Sequence, residues 1–369
     1  MALPHIVFLG VNVVLFGLDL LAFFALYLAI SLTLNLEFGY TGIANFGKVL
    51  FIAAGAAVGG SFAGRFAAWI FNVSTQGDFI TYNASIMPQV NAVLSTNLPA
   101  AIGLLLISVV VAGAVGALFG FLFSYPAIRL KQDYLAMTLL AMAQFFQIFL
   151  NNYYPLIGGS LGLELPDPYV WAGDLRYVVA TGVMVLFAAL VYIYCERIAH
   201  APLARTLRAV RDNESASEAL GKDDVAIRRK TLMVASAISA IAGLLYSFYT
   251  VDVLPATFGR VVWTFWPWVI VIMGGAANNL GVGIGVFVFW FMIKAIDSGK
   301  FVFSNYIPFD VTWLEYLLIG IILIGILMLR PEGILPEKST PTLAKSKLRS
   351  ILAKHTRKPQ QVPESTTPS

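Results

Sequence analysis

The sequence predicts an all-α polytopic membrane protein: a bundle of about nine to ten transmembrane helices of roughly 20 residues each, with one amphipathic helix on the cytoplasmic side. Three observations predict it. The 369 residues are 59% hydrophobic and 12% charged, whereas soluble domains carry roughly 25% charged residues. Apolar runs of membrane length recur along the whole chain, separated by polar breaks. Basic residues gather in one internal segment and in the tail, the pattern of cytoplasmic loops. The net charge of +4 follows from that bias and does not imply nucleic-acid binding.

Residues 3–18 form a short first candidate, without the basic stretch and small-residue cleavage site of a signal peptide. A second follows at about 19–36, with Asp19 between the two near an interface. The break Glu37-Phe-Gly-Tyr-Thr-Gly42 carries a carboxylate and two glycines. The run at about 45–71 contains Gly55, Gly59, Gly60 and Gly64, whose small-xxx-small spacing lets helices pack closely. Residues 72–97 are polar and read as an external loop; Asn72 and Asn83 each head a glycosylation-type triplet, a pattern common by chance. Residues 98–123 are free of charge and span, with Pro126 as the stop and Arg129-Leu-Lys-Gln-Asp133 as the next loop. In the span 134–152, Gln144, Gln147 and Asn151 share one helical arc. Amides in lipid are costly, so this stripe faces either a watery path or a hydrogen-bonding neighbour.

The glycine-rich loop 158–168 leads to a span at 177–195. The polar segment 196–230 follows, then a span at 231–251. The tract 261–297 is too long for one helix, and Gly274-Gly-Ala-Ala-Asn-Asn-Leu-Gly281 in its middle makes it two crossings or a re-entrant pair. Residues 311–329 form the last span. The domain division is therefore a membrane domain at 1–336 and a basic Ser/Thr/Pro-rich tail at 337–369, whose composition predicts disorder. Arg197, Arg205, Arg208, Arg211, Lys222, Arg228, Arg229 and Lys230 place 196–230 in the cytoplasm. Alternation then puts 37–44 and 129–131 inside, and 72–97, 252–260 and 298–310 outside.

Within the polar segment, residues 202–221 have the signals of a short helix. Pro202 suits the first turn and Gly221 the residue just past the end. Leu203, Leu207 and Val210 make an apolar face, Arg208 and Asp212 are spaced to pair, and Arg205 and Arg211 are left over. The residues alone allow two readings: a helix lying on anionic lipid, or a docking element for a soluble partner.

Chemistry is sparse. Cys195 is the single cysteine, and His5, His200 and His355 are far apart, so no metal cluster is implied. Gly42-Ile-Ala-Asn-Phe-Gly-Lys48 has the spacing of a phosphate-binding loop, but Val49 stands where Ser or Thr would hold magnesium, and the flanks are membrane spans. The deep ionisable residues Asp19, Glu37, Lys48, Lys294 and Glu315 are few and sit near predicted ends, which disfavours a proton relay. No nucleophile, base and orienting acid come together, so neither catalytic residues nor a cofactor are expected.

Four stretches, in order, resemble the M-type (LivM-like) permease subunits of the high-affinity branched-chain amino acid ABC importers. They are Leu34-Asn-Leu-Glu-Phe-Gly-Tyr-Thr-Gly42; Leu130-Lys-Gln-Asp-Tyr-Leu-Ala-Met-Thr-Leu139 with Asn151, Asn152 and Gly158-Gly-Ser-Leu-Gly162; Arg205 through Gly221; and Gly274-Gly-Ala-Ala-Asn-Asn-Leu-Gly281 with Leu329-Arg-Pro-Glu-Gly-Ile-Leu335. The resemblance covers about residues 20–336. It implies a transport subunit of the cell membrane that hydrolyses nothing itself. Its partners would be a second permease subunit (an H-type sibling or an identical copy), two cytoplasmic ABC ATPases, an external substrate-binding protein and membrane lipid. It makes the 202–221 helix the cytoplasmic coupling helix, with Arg205, Thr206, Arg208, Ala209, Arg211, Asp212, Asn213 and Gly221 as the ATPase-coupling set. The polar breaks supply the expected translocation pathway: Asn35, Gly39, Thr41, Gly42, Asn45, Gln144, Gln147, Asn151, Gly158, Gly159, Gly274, Gly275 and Asn278. Asn45-Phe-Gly-Lys48 and Ala276-Ala-Asn-Asn279 depart from the family pattern, leaving urea, short amides and other amino acids open as cargo. From another class, a self-contained secondary transporter also fits the composition.

Overall fold

The computed structural model describes residues 7–8, 11–73, 77–129, 132–303, 312–330 and 332–337, all but the last of them within the compact unit formed by residues 1–336. Two short strands, β1 (Val7–Phe8) and β2 (Val11–Asn12), pair antiparallel and lead into α1 (Val13–Leu34). Helix α1 runs without a break through Asp19, so no boundary separates residues 13–18 from the span expected at 19–36. The charge is accommodated because the Tyr249 hydroxyl donates to Asp19 at 2.9 Å and the Lys294 ammonium lies 3.7 Å away. Past Leu34 the chain widens into a π-helical turn, Asn35–Tyr40.

Helix α2 (Lys48–Val58) continues through a second π-turn, Gly59–Ala63, into α3 (Gly64–Ile70). The stretch expected as an external loop holds α4 (Asn83–Thr96), which buries Ile86, Met87, Val90 and Leu94. Asn83 is 5% exposed and grips both backbone groups of Glu164, so its glycosylation triplet is a tertiary contact. Then come α5 (Leu98–Arg129), which continues beyond Pro126, α6 (Gln132–Asn152) and the single turn α7 (Tyr154–Ile157). Strand β3 (Leu163–Glu164) precedes α8 (Arg176–His200). The polar segment folds as α9 (Pro202–Asp212) and α10 (Glu214–Ala219). Helix α11 (Asp224–Thr250) leads to β4 (Asp252–Val253), which pairs with β3. Helices α12 (Trp266–Gly274), α13 (Asn279–Phe303) and α14 (Thr312–Leu329) complete the described chain; the basic tail from 338 onward lies outside it.

Seven helical stretches among the described residues are long and apolar enough to cross a bilayer. The tract 261–297 resolves unequally. Val261–Gly274 comprises five π-helical and nine α-helical residues, which reach only about 21 Å at ~1.5 Å per residue, short of the roughly 30 Å hydrocarbon layer. The chain then turns at Gly275 and leaves along the full-length α13.

Helices α2 and α11 occupy the centre. Gly55 lies against the Ala240 carbonyl and Gly243 against the Ile52 carbonyl, so each helix offers a glycine to the other's backbone and a Cβ at either would collide. The outer helices carry exposed apolar side chains: Leu106, Val110, Leu118 and Leu122 on α5, Phe145 and Ile148 on α6, Leu186 and Leu190 on α8. Such a belt is a liability in water and the expected outer surface in lipid.

Candidate functional site

Polar contacts sort to the two ends of the bundle. One end joins the turn after α1, the start of α2, the α8–α9–α10 segment, and the turn between α12 and α13. The other joins the 163–169 loop, α4 and the termini of α8 and α11. The first end carries the basic segment and is cytoplasmic by the positive-inside rule.

At that end the π-turn Asn35–Tyr40 is the meeting point. Asn35, fully buried, accepts from the Ala277 amide at 2.7 Å and donates to Asn279 at 3.0 Å; Asn279 in turn donates to Glu196 at 3.0 Å. Glu37 and Lys48 form an ion pair at 2.8 Å with neither side chain exposed, and the Asn45 amide donates to the other carboxylate oxygen at 3.0 Å. Each of these side chains thus has a hydrogen-bond partner, the condition for charge to persist inside a membrane protein. Thr41 donates to the Leu36 carbonyl at 2.9 Å, and the Trp268 indole donates to the Asn45 carbonyl at 3.1 Å while stacking on Phe46. Gly39 sits against the Ala277 backbone with no room for a side chain. Gly42 turns left-handed at φ +76°. Gly274 packs on Gly281, Gly275 on the Leu335 carbonyl, and Asn278 donates to the Pro336 carbonyl at 3.1 Å.

Helix α9 lies beside this cluster. It buries Ala204, Leu207 and Val210; Leu203, expected on the same face, is 46% exposed, and Ala204 takes its place. The expected single helix over 202–221 is divided at Asn213, whose backbone is extended and whose side chain caps α10 by accepting from the Ala216 amide at 3.0 Å. Gly221 does sit just past the helical end, left-handed at φ +75°. The arginines also differ from expectation. Arg211 bonds Asp212 at 2.9 Å and reaches the Gly39 carbonyl, and Arg208 lies 5.1 Å from the centre of the Tyr40 ring, whereas Arg205 is exposed. Thr206 is half-buried; Ala209, Asp212 and Asn213 are exposed. A cavity of about 410 Å³ opens between α8, α9 and α11, with Leu207 and Ile227 among its apolar walls and Lys230 and Asp223 also lining it.

The expected pathway residues do not come together in one place. Asn35, Gly39, Thr41, Gly42, Asn45, Gly274, Gly275 and Asn278 belong to the cytoplasmic cluster. Gly158 and Gly159 form left-handed turns at the opposite end, where Gly158, Thr81, Tyr154, Glu164 and Asp252 help line a cavity of about 520 Å³. Gln144, Gln147 and Asn151 share a half-buried face of α6; Asn151 bonds back to the Gln147 carbonyl at 3.0 Å, and among the described residues neither glutamine side chain meets a hydrogen-bond partner. Sequence reasoning missed Glu196 and Asn279 as cluster members. Their signal was the presence of amides and a carboxylate in apolar runs, each of which must find a partner.

The comparisons agree with this architecture. Residues 17–327 match the family described as "Branched-chain amino acid transport system / permease component". The chain is 38% identical over 340 residues to the probable branched-chain amino acid transport permease protein LivM of Methanocaldococcus jannaschii, covering 91% of this chain and 98% of that one. It is 25% identical over 268 residues to the high-affinity branched-chain amino acid transport system permease protein LivM of Salmonella typhimurium, covering 66% of this chain and 59% of the relative. Its Escherichia coli counterpart is 25% identical over 251 residues, covering 61% and 56%. No solved structure matches the chain. With its apolar helices and match over most of its length, this multi-pass protein of the plasma membrane belongs to the permease component family of branched-chain amino acid transport systems.

Proposed function

We propose that the chain is one of two membrane-spanning subunits of an ATP-driven importer of branched-chain amino acids. Separate cytoplasmic ATPases supply the energy, an external binding protein delivers the solute, and the second permease is a sibling or an identical copy. The observation that carries this reading is α9: an amphipathic helix at the basic end, seated by Ala204, Leu207 and Val210, with Arg205, Ala209, Asp212 and Asn213 exposed. An exposed face on a helix held this firmly suits a soluble partner better than a lipid surface. The glutamine face of α6 suits the second permease subunit, so the path lies between subunits and not within this chain.

The test is reconstitution. The chain co-purified with its ATPases and sibling, in liposomes supplied with binding protein, is expected to accumulate labelled leucine only with ATP. Excess isoleucine and valine compete, and urea does not. Uptake by this chain alone, without ATP, would instead establish a self-contained transporter; competition by urea or a short amide would reassign the cargo.

A further inference from the structure

The three arginines of α9 do not face the same way. Arg205 is exposed. Arg211 is half-buried and divides its guanidinium: Nε donates to the exposed Asp212 at 2.9 Å, while another nitrogen turns inward and donates to the Gly39 carbonyl at 2.5 Å; its aliphatic stem covers Gly42, where a Cβ would stand 3.0 Å from the Arg211 Cγ. Gly39 lies in the last turn of the π-helix, and terminal carbonyls of a helix lack intrahelical donors. A cation there also complements the negative end of the helix dipole. Arg208, over the Tyr40 ring, reinforces the same contact.

The turn that Arg211 holds is fastened to three other elements. Glu37 ties it to Lys48 at the start of α2, Asn35 to Asn279 at the start of α13, and Asn279 to Glu196 near the end of α8. Gly39 also rests directly on the Ala277 backbone. The π-helical form itself matters, because a widened turn is a local departure from the helical ladder of a kind that recurs at functional positions. Any displacement of α9 therefore reaches α1, α2, α8 and α13 through one hydrogen-bonded turn.

We propose that Arg211 is an inward-facing positioning residue, which passes movement of α9 to the π-turn Asn35–Tyr40 through the Gly39 carbonyl and does not contact the ATPase. This rests on the importer reading above. Arg205 is the arginine that meets the ATPase.

The test uses the reconstituted complex and reads solute moved per ATP hydrolysed. Arg211→Met keeps the stem over Gly42 and removes the donor. Loss of a hydrogen bond to a charged group predicts a fall in that ratio of about tenfold, with the ATPases still bound and hydrolysing. Arg211→Lys restores a donor and is expected to hold the ratio within about twofold of the parent, the single bond needing no guanidinium fork. Gly42→Ala reaches the contact from the other side, crowding the stem at 3.0 Å while also straining a turn at φ +76°, and is expected to uncouple as Arg211→Met does. Arg205→Met is expected to weaken ATPase binding. An unchanged ratio in both Arg211→Met and Gly42→Ala overturns the proposal, as does weakened ATPase binding by Arg211→Met with a normal ratio. Failure of Arg211→Met to assemble shifts the decision to Lys against the parent and to Gly42→Ala, where a normal ratio in Gly42→Ala overturns it. A parent complex that never binds an ATPase removes the importer reading itself, a different result from any of these.

Discussion

Among single residues, Glu37 and Lys48 show how a charge survives in this protein. Neither side chain is exposed, they meet at 2.8 Å, and Asn45 occupies the second carboxylate oxygen. Removing one partner leaves an uncompensated charge in a dry interior, so Glu37→Gln or Lys48→Met alone is expected to destabilise by about 3–5 kcal/mol. The double substitution is expected to recover most of that loss. Thermal unfolding in detergent measures both; singles no worse than the double would show that the two groups are not coupled. The pair was only half legible in the sequence. Both charges were evident beside apolar runs, but span ends are the cheapest place for a charge, so they read as boundary residues. Nothing in periodicity joins two positions 11 apart across a glycine turn.

Between elements, the α2–α11 seam depends on the absence of side chains. Gly55 and Gly243 each meet a carbonyl of the opposite helix. Gly55→Val or Gly243→Val must push the helices apart, and overpacking of this kind costs about 1–3 kcal/mol or more. The expected outcome is a sharp drop in monodisperse protein on size-exclusion chromatography, whereas Gly182→Ala, on α8 with open space around it, leaves the yield unchanged. The spacing of Gly55, Gly59, Gly60 and Gly64 was readable as a packing face, but its partner helix was not, because a small residue announces close approach without saying to what. Helix α4 was missed for a related reason: Ile86, Met87, Val90 and Leu94 lie on one face of a segment otherwise polar enough to read as a loop. Across α9 and α10, Pro202 and Gly221 marked the outer limits of the helical segment, while Asn213 divides it because it is a better cap than a helix-interior residue.

In the whole molecule, basic-residue bias and alternation put 37–44 and 196–230 at one end and 72–97 and 252–260 at the other, as the hydrogen bonds and strand pairing do; the loops expected at 129–131 and 298–310 lie largely outside the described residues. The single cysteine, Cys195, is buried, which makes this arrangement simple to test. Leu161 and Leu220 are each 80% exposed, at opposite ends. Leu161→Cys is expected to react with a membrane-impermeant maleimide in intact cells and Leu220→Cys only after lysis; labelling of both from one side would break the topology. The short helical stretch Val261–Gly274 adds an electrical consequence. A membrane voltage falls across the insulating layer alone. Arg260 and Val261, at the outer start of this element, are exposed. Where water reaches that exposed end, the same voltage falls across about 21 Å in place of roughly 30 Å of hydrocarbon, a field about 1.4 times steeper. A zwitterion gains none of the roughly 2.3 kcal/mol per elementary charge that 100 mV would give an ion. It still has a dipole, so the voltage turns such a molecule without driving it.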